Sequence, residues 1–165
     1  MTGAGEGSFR EPELGDWGGR LGCAAAADNV FVALYGELGA GKSTLVRAAC
    51  RALGVSGPVP SPTFALVNLH AGDDRRIHHA DLYRLDPPVS EQTLVDMGWP
   101  ELVDLDAPVF VEWADRAAGW LPADRWDVHL RVDPADPMRR IVRIECQGRA
   151  PLPPSPPSAG DDATC

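Results

Sequence analysis

YGELGAGKSTLV, residues 35–46, fits the pattern GxxxxGK[ST] of a phosphate-binding loop. Before it, residues 30–35 form an apolar run with β-branched and aromatic side chains, which predicts a buried strand. After it, apolar residues recur at helical spacing from Leu45 to Leu53, and Gly54 is placed to end that helix. Since a phosphate-binding loop joins a strand to a helix, the segment predicts an α/β fold.

The residue types of this loop match the chemistry of a bound phosphate. Glycines allow backbone N–H groups to face the phosphate oxygens, and the following helix presents the positive end of its dipole. The Lys42 ammonium would contact the β- and γ-phosphates with its positive charge, and the Ser43 hydroxyl would ligate a magnesium ion. The predicted nucleotide-binding segment comprises Gly36, Glu37, Leu38, Gly39, Ala40, Gly41, Lys42, Ser43 and Thr44.

Lysine usage sets this loop apart from the rest of the chain. The sequence contains fourteen arginines and one lysine, and that lysine is Lys42. A flexible ammonium reaches phosphate oxygens as a point charge, whereas a planar guanidinium imposes its own geometry. The single use of lysine at position 42 therefore indicates that this site requires an ammonium group. It argues against a glycine-rich turn that contains a lysine by chance.

A second polar feature lies in APVFVEWADR, residues 107–116. The apolar residues 108–111 predict a central strand, and Glu112 at its carboxyl end lies where open α/β sheets bind ligands. Taken alone, a glutamate that ends a strand is more often a solvated turn residue. In a chain with a phosphate-binding loop, Glu112 becomes the candidate carboxylate for magnesium, either directly or through water.

The remaining segments predict further strands and helices. Residues 64–69 and 75–85 read as the two strands of a hairpin. Residues 90–104 suggest two short helices, because a glycine and a proline interrupt the helical pattern. Residues 125–132 and 139–147 alternate in polarity and predict strands towards the edge of the sheet.

His79 and Asp81 share one face of the second hairpin strand, and three interpretations remain open. The two side chains could ligate a metal, although two ligands are too few for a transition-metal site. They could form a surface pair. Alternatively, Asp81 could face the nucleotide and orient water or magnesium, with Ser61 and Thr63 in a loop that responds to the γ-phosphate.

Length and composition predict one compact domain. A chain of 165 residues, 44% of them hydrophobic, can form one core but not a second domain of ordinary size. Its net charge of −9 argues against a broad basic face that binds nucleic acid directly. No stretch approaches the roughly 20 apolar residues of a membrane span, so we expect a cytoplasmic protein.

The four cysteines are widely spaced and form no CxxC or Cys/His pattern. Such usage favours a reducing compartment and argues against a structural zinc site. We expect Cys23, Cys50 and Cys146 to be small residues in or near the core.

Composition also predicts a flexible N-terminus and a disordered C-terminus. The first residues are polar and rich in glycine, and the last sixteen are rich in proline and serine with few core-forming residues. We therefore expect a flexible N-terminus over residues 1–12, a P-loop domain over residues 13–149 and a disordered proline-rich tail over residues 150–165.

Four motifs, GELGAGKST, SPTF, HADLYRL and VFVEWADR, resemble in their order and separations those of the TsaE family of bacterial P-loop ATPases. The resemblance covers roughly residues 21–149. Many NTPases share the first motif, whereas SPTF followed by DLYRL and then EW is specific when taken together. The resemblance implies a single-domain α/β P-loop NTPase with a mixed central β-sheet flanked by helices.

The resemblance also implies a function. Members of this family are cytoplasmic ATPases that use ATP and Mg²⁺ and are needed for threonylcarbamoyl modification of adenosine in tRNA. They act on a complex of the transferase TsaD with TsaB, and they reach tRNA only through that complex. We accordingly expect no membrane contact, a monomer or weak dimer, and weak ATPase activity in isolation.

Carried over to this sequence, the family pattern assigns roles to particular residues. Lys42 and Ser43 would hold phosphates and magnesium, with Ser43 and Glu112 as the metal ligands. Asp81 and Glu112 would be the catalytic acids. Trp113, which spacing alone assigns to packing, becomes a candidate for contact with the site or a partner. A switch-like loop would comprise Ser61, Pro62, Thr63 and Phe64.

Two other functions fit a phosphate-binding loop. A non-catalytic switch would bind ATP or GTP to change the affinity of a partner, but a small GTPase would carry an NKxD motif. That motif is absent, since Lys42 is the single lysine. A small-molecule kinase would need an arginine-bearing lid and an acceptor pocket, to which HHADLYRL could contribute.

Overall fold

The computed structural model describes residues 4–62, 66–104 and 106–156, which form a mixed β-sheet flanked by helices. This confirms the predicted fold class. The elements in chain order are β1 (Ala4–Arg10), α1 (Glu11–Ala27), β2 (Phe31–Tyr35), α2 (Lys42–Ala52), β3 (Val67–Ala71), β4 (Arg76–Asp81), α3 (Glu91–Asp96), α4 (Trp99–Val103), β5 (Val109–Glu112), a 3₁₀ helix (Ala114–Trp120), β6 (Arg125–Val132) and β7 (Arg139–Gln147).

The seven strands are arranged in the order β1-β7-β6-β2-β5-β4-β3. At the centre, β2 runs parallel to both β5 and β6, and β4 runs parallel to β5. The pairs β3–β4, β6–β7 and β1–β7 are antiparallel. The hairpin, the two short helices and the two alternating strands are confirmed. The expected edge position of β6 and β7 is wrong, because β1 adds outside β7.

Apolar side chains cover both faces of the sheet. In β2, Val32 and Leu34 belong to the core under α1 and α2, whereas Phe31 and Ala33 belong to a second core under α3, α4 and the 3₁₀ helix. Since successive side chains of a strand point to opposite faces, this continuous apolar run is typical of a central strand buried on both sides.

Helix α2, which follows the phosphate-binding loop, is held close to α1. A Cβ atom placed on Gly22 of α1 would lie 2.6 Å from the Cα atom of Ala49 in α2. The helices therefore approach more closely than a side chain at position 22 would allow. This contact fixes α2, and with it the end of the loop, against the sheet.

The prediction of a flexible N-terminus over residues 1–12 is wrong for residues 4–12. Residues 4–10 form β1, which pairs with β7 along its whole length, and α1 begins at Glu11. Phe9 is fully buried, with its ring centroid 5.6 Å from that of Trp17. Composition missed this strand because its glycines have low intrinsic β propensity, and pairing with β7 supplies the stability instead.

The prediction of a disordered tail over residues 150–165 is wrong for its first part. The carbonyl of Pro151 accepts a hydrogen bond from Trp126 Nε1 at 2.7 Å, and that of Pro154 accepts one from Trp17 Nε1 at 3.3 Å. Proline cannot donate from its backbone, but its carbonyl remains a full acceptor. The folded unit thus extends beyond residues 13–149 at both ends, and residues 157–165 lie outside the described part.

The three described cysteines differ in burial. Cys50 and Cys146 are buried as expected, but Cys23 is exposed on α1, so the prediction for Cys23 is wrong. Burial raises the pKa of the Cys50 thiol to about 11, which keeps this thiol protonated at neutral pH. Within the described ranges, no helix has both the length and the apolar character needed to cross a membrane.

Replacing Phe9 by alanine tests whether β1 is part of the folded unit. We expect the free energy of unfolding to fall by about 3–5 kcal/mol, because the change leaves a cavity beside Trp17. Denaturant unfolding followed by tryptophan fluorescence measures the effect. Val95→Ala is the control, since Val95 is 49% exposed on α3. Equal stability of both variants would contradict the packing of β1.

Candidate functional site

The carboxyl ends of three parallel strands meet at one edge of the sheet. Residue Glu112 of β5 lies opposite Leu34 of β2 on one side and opposite Asp81 of β4 on the other. The phosphate-binding loop leaves β2 at the same edge. The parallel register therefore brings together the loop and two acidic residues that lie far apart in the sequence, at the position where open α/β sheets bind ligands.

The loop follows a path that its glycines make possible. Gly36 has a φ of 144° and lies against β6, where a Cβ atom would overlap the carbonyl oxygen of Leu130. Gly41, with a φ of 106°, immediately precedes α2. Both conformations disfavour other residues. The chain thus turns from β2 into α2 with backbone amides at the helix start, an arrangement that fits a phosphate group.

Lys42 is 4% exposed and lies against the loop that it follows. Its Nζ atom donates to the carbonyl oxygens of Gly36 at 2.6 Å and Glu37 at 2.9 Å. Burial lowers the pKa of Lys42, while the carboxylates of Glu112 and Asp81 oppose that shift. A phosphate would provide the Lys42 ammonium with a stronger acceptor than either carbonyl.

Trp113 covers Lys42 from the other side. The Nζ atom of Lys42 lies 3.9 Å from the ring centroid of Trp113, and the ring of Tyr83 lies 5.0 Å from it. Trp113 has a φ of 58°, which is unfavourable for a large residue and is found most often at functional sites. The structure therefore places Trp113 at the predicted site, in contact with the loop lysine and not only with the core.

Glu112 lies between the loop and the neighbouring strand. It is 2% exposed; its Oε2 atom accepts a hydrogen bond from Ser43 Oγ at 2.8 Å, and its Oε1 atom lies 2.8 Å from His79 Nε2. The two predicted magnesium ligands, Ser43 and Glu112, are thus in direct contact. A hydroxyl and a carboxylate are oxygen ligands of the type that Mg²⁺ prefers, so the pair fits this ion.

Asp81 connects the hairpin to the loop before it. Its Oδ2 atom accepts a hydrogen bond from Ser61 Oγ at 2.5 Å, and its Oδ1 atom accepts one from the Tyr83 amide at 2.9 Å. Of the predicted switch-like loop, Ser61 is therefore at the site, and Pro62 is buried beside it in the chain. Thr63 and Phe64 lie outside the described residues.

Burial excludes one of the three interpretations of His79 and Asp81. They are 1% and 9% exposed, so the surface pair is wrong. Across the described ranges, no three His, Cys, Asp or Glu side chains are grouped as a metal site. The hydrogen bond between Asp81 and Ser61 supports the third interpretation, in which the acid faces the loop that carries Ser61. Sequence reasoning missed His79 as a partner of Glu112, since only the pairing of β4 with β5 brings them together.

These side chains line a cavity of about 470 Å³ at the start of α2. This volume lies in the range of small-molecule sites. The lining combines the loop with both acids and the two aromatic residues, namely Leu38, Gly39, Gly41, Lys42, Ser43, Thr44, Arg47, Ser61, Asp81, Tyr83, Glu112 and Trp113.

Comparison with known proteins identifies the family. The sequence model of the family described as "Threonylcarbamoyl adenosine biosynthesis protein TsaE" matches residues 10–141. The chain belongs to the TsaE family. The match includes the phosphate-binding loop and both acids, so the cavity described above lies wholly within the TsaE-like region.

Several relatives carry the name "tRNA threonylcarbamoyladenosine biosynthesis protein TsaE". The TsaE of Haemophilus influenzae is 37% identical over 115 residues, which cover 70% of either chain. The TsaE of Mycobacterium bovis is 40% identical over 126 residues, covering 72% of this chain and 74% of the relative. The TsaE of Streptomyces coelicolor is 40% identical over 107 residues, or 64% of this chain and 69% of the relative.

A solved structure shares the fold. The crystal structure of YdiB from Bacillus subtilis superimposes with a TM-score of 0.70, covering 90% of this chain and 88% of YdiB. The sequences are 21% identical. The two proteins therefore have the same fold.

Proposed function

We propose that this chain is the ATP-binding and ATP-hydrolysing subunit of tRNA threonylcarbamoyladenosine biosynthesis, acting on a complex of TsaD and TsaB. Its membership of the TsaE family supports the process. The observation that supports nucleotide hydrolysis is the contact of Glu112 with the Ser43 hydroxyl beside the buried Lys42. A loop that only bound an anion would not need a buried carboxylate at this position.

Binding of the triphosphate would use the loop and Lys42. Backbone N–H groups at the start of α2 face the phosphates, and Lys42 exchanges the carbonyls of Gly36 and Glu37 for phosphate oxygens. Trp113 keeps the ammonium directed into the cavity by a cation–π contact. The cost of burying Lys42 is thereby offset by the negative charge of the ligand.

Ser43 and Glu112 would hold the magnesium ion. When bound there, the ion would neutralise charge that develops on the phosphate oxygens. Glu112 is oriented for this role because His79 contacts its other oxygen. The His79 ring thereby leaves the Oε2 atom directed towards Ser43.

Asp81 would position the attacking water. Its carboxylate is close to the loop, and Ser61 links it to the segment predicted to respond to the γ-phosphate. A carboxylate at this position can accept a hydrogen bond from water and orient the water oxygen towards phosphorus. Changes at the γ-phosphate would reach the surface through the Asp81–Ser61 hydrogen bond.

The negative net charge of the chain supports an action on tRNA through partner proteins. With a net charge of −9, the chain is suited to reach tRNA through the TsaD–TsaB complex and not by a basic face of its own. In this proposal the protein works in the cytoplasm, where tRNA is modified, as a monomer or weak dimer that hydrolyses ATP slowly alone. Turnover would rise when the partner complex completes the site.

Depletion of the protein in its host tests the process. We expect threonylcarbamoyladenosine to disappear from tRNA nucleosides analysed by mass spectrometry, and expression of the wild type to restore it. Lys42→Ala should not restore it, because phosphate binding fails. Arg51→Ala, which removes a charge from the other end of α2, is the control and should restore it. Unchanged modification after depletion would contradict the proposal.

A further inference from the structure

Arg47 brings a further positive charge to the candidate site. It is half-buried in the second turn of α2 and lines the same cavity as Lys42 and Glu112. Among the described residues that line this cavity, the cations are Lys42 and Arg47. We propose that Arg47 is a positioning residue, which holds the Thr44 hydroxyl as a hydrogen-bond donor to a phosphate oxygen of the nucleotide; the inference rests on the proposed function.

The guanidinium of Arg47 contacts Thr44 within the same helix. Residues three apart are neighbours on one face of an α-helix. The Nη2 atom of Arg47 donates a hydrogen bond to the Oγ1 atom of Thr44 at 3.2 Å, and both residues line the cavity. Arg47 therefore occupies an acceptor position of the hydroxyl oxygen and leaves the hydroxyl proton for another partner.

The proton of the Thr44 hydroxyl has no acceptor in the part of the chain that the structure describes. A hydroxyl carries one donor proton and two acceptor lone pairs. Because the guanidinium donates to the oxygen, the proton points away from Arg47. A charged donor also polarises the O–H bond, which strengthens the hydrogen bond that the hydroxyl itself donates. A phosphate oxygen in the cavity is an acceptor that suits this proton.

The backbone of Thr44 supports the same ligand. Thr44 is the third residue of α2, and the amide of the next residue, Leu45, donates to the Gly41 carbonyl at 3.0 Å. The amides that precede Leu45 lie at the open end of the helix, where an anion is stabilised. The amide and the hydroxyl of Thr44 thus belong to one anion site, and Arg47 orients the hydroxyl.

A double-mutant cycle tests whether Arg47 acts through Thr44. Binding of ATP with magnesium is measured by calorimetry for the wild type, Arg47→Met, Thr44→Val and the double variant. Arg47→Met should weaken binding roughly 2- to 12-fold, the range for one net hydrogen bond. In the Thr44→Val background the same change should weaken binding less than roughly 2-fold, because no hydroxyl is left to position. Inorganic tripolyphosphate should show the same pattern, since the argument concerns phosphate oxygens alone.

Three controls separate positioning from other effects. Thr44→Ser keeps a hydroxyl, so ATP binding should remain sensitive to Arg47→Met in that background. Arg51→Met removes the same charge one turn further along α2, at an exposed position outside the cavity, and should leave ATP binding nearly unchanged. The free energy of unfolding without nucleotide is measured for every variant. A contact that only stabilised the helix would couple Arg47 to Thr44 in this quantity and not in ATP affinity.

The possible outcomes distinguish this inference from the proposed function. Equal effects of Arg47→Met with and without the Thr44 hydroxyl would overturn the inference and leave the proposed function intact. Coupling seen only in the free energy of unfolding, or a loss of affinity for ATP without one for tripolyphosphate, would overturn it in the same way. A wild type that binds neither ligand would overturn the proposed function and the inference together.

Discussion

Lys42→Ala is expected to weaken ATP binding roughly 10- to 150-fold, the range for losing charge-assisted hydrogen bonds to a phosphate. The buried ammonium contacts the loop carbonyls of Gly36 and Glu37, and burial already lowers its pKa, so an entering anion would stabilise its charged form. Calorimetric titration with ATP and magnesium measures the change. The same variant should also lose affinity for inorganic tripolyphosphate, because the Lys42 ammonium would contact the phosphates and not the rest of the nucleotide.

Two controls separate this effect from unfolding. Arg51→Ala removes one positive charge from the last turn of the same helix and should leave ATP binding nearly unchanged. Lys42→Arg keeps the charge but presents a planar group to the space between the loop carbonyls and Trp113. We expect Lys42→Arg to restore little of the ATP affinity, because a guanidinium is wider than an ammonium. If Lys42→Ala kept full ATP affinity, the role of the loop in the proposed function would be contradicted.

Glu112→Gln is expected to lower ATP turnover roughly 100-fold or more while the fold persists. An amide can still contact Ser43 and His79, so the change removes charge and little else. Binding of magnesium should weaken, which raises the magnesium concentration needed for half-maximal turnover. Phosphate release measured with the TsaD–TsaB complex present, across a magnesium series, tests both expectations.

The matched control for this change is Asp115→Asn. Asp115 lies three residues further along the chain, and its side chain is 57% exposed. Its carboxylate contributes to the potential at Lys42 but contacts neither Ser43 nor His79. We expect nearly normal turnover. If Glu112→Gln had the same turnover and magnesium requirement as Asp115→Asn, the magnesium site would have to be placed elsewhere.

Local patterns predicted most of the elements that carry the site. The loop, the β5 strand and the hairpin are short segments whose apolar periodicity and turn residues are continuous in sequence, so each could be recognised by itself. The proximity of Ser43 and Glu112 was also predicted, through their assignment to one magnesium site, and the structure adds the direct hydrogen bond between them. The roles of the acids remain predictions that the turnover measurements test.

Composition failed where a segment depends on a distant partner. Residues 4–10 have little strand propensity of their own, and they form β1 because β7 presents an unpaired edge. The start of the tail packs because two buried tryptophans need acceptors for their indole N–H groups. Neither condition can be read from the segment itself.

The sequence by itself determined the α/β class and the strand–loop–helix segment, because the glycines, the single lysine and the flanking periodicity are all local. Only the tertiary structure placed His79 on Glu112 and the β6–β7 turn over the loop. Both contacts join residues from separate strands, and their geometry follows from strand order and register. Those are set by how the whole chain buries its apolar surface, not by any one segment.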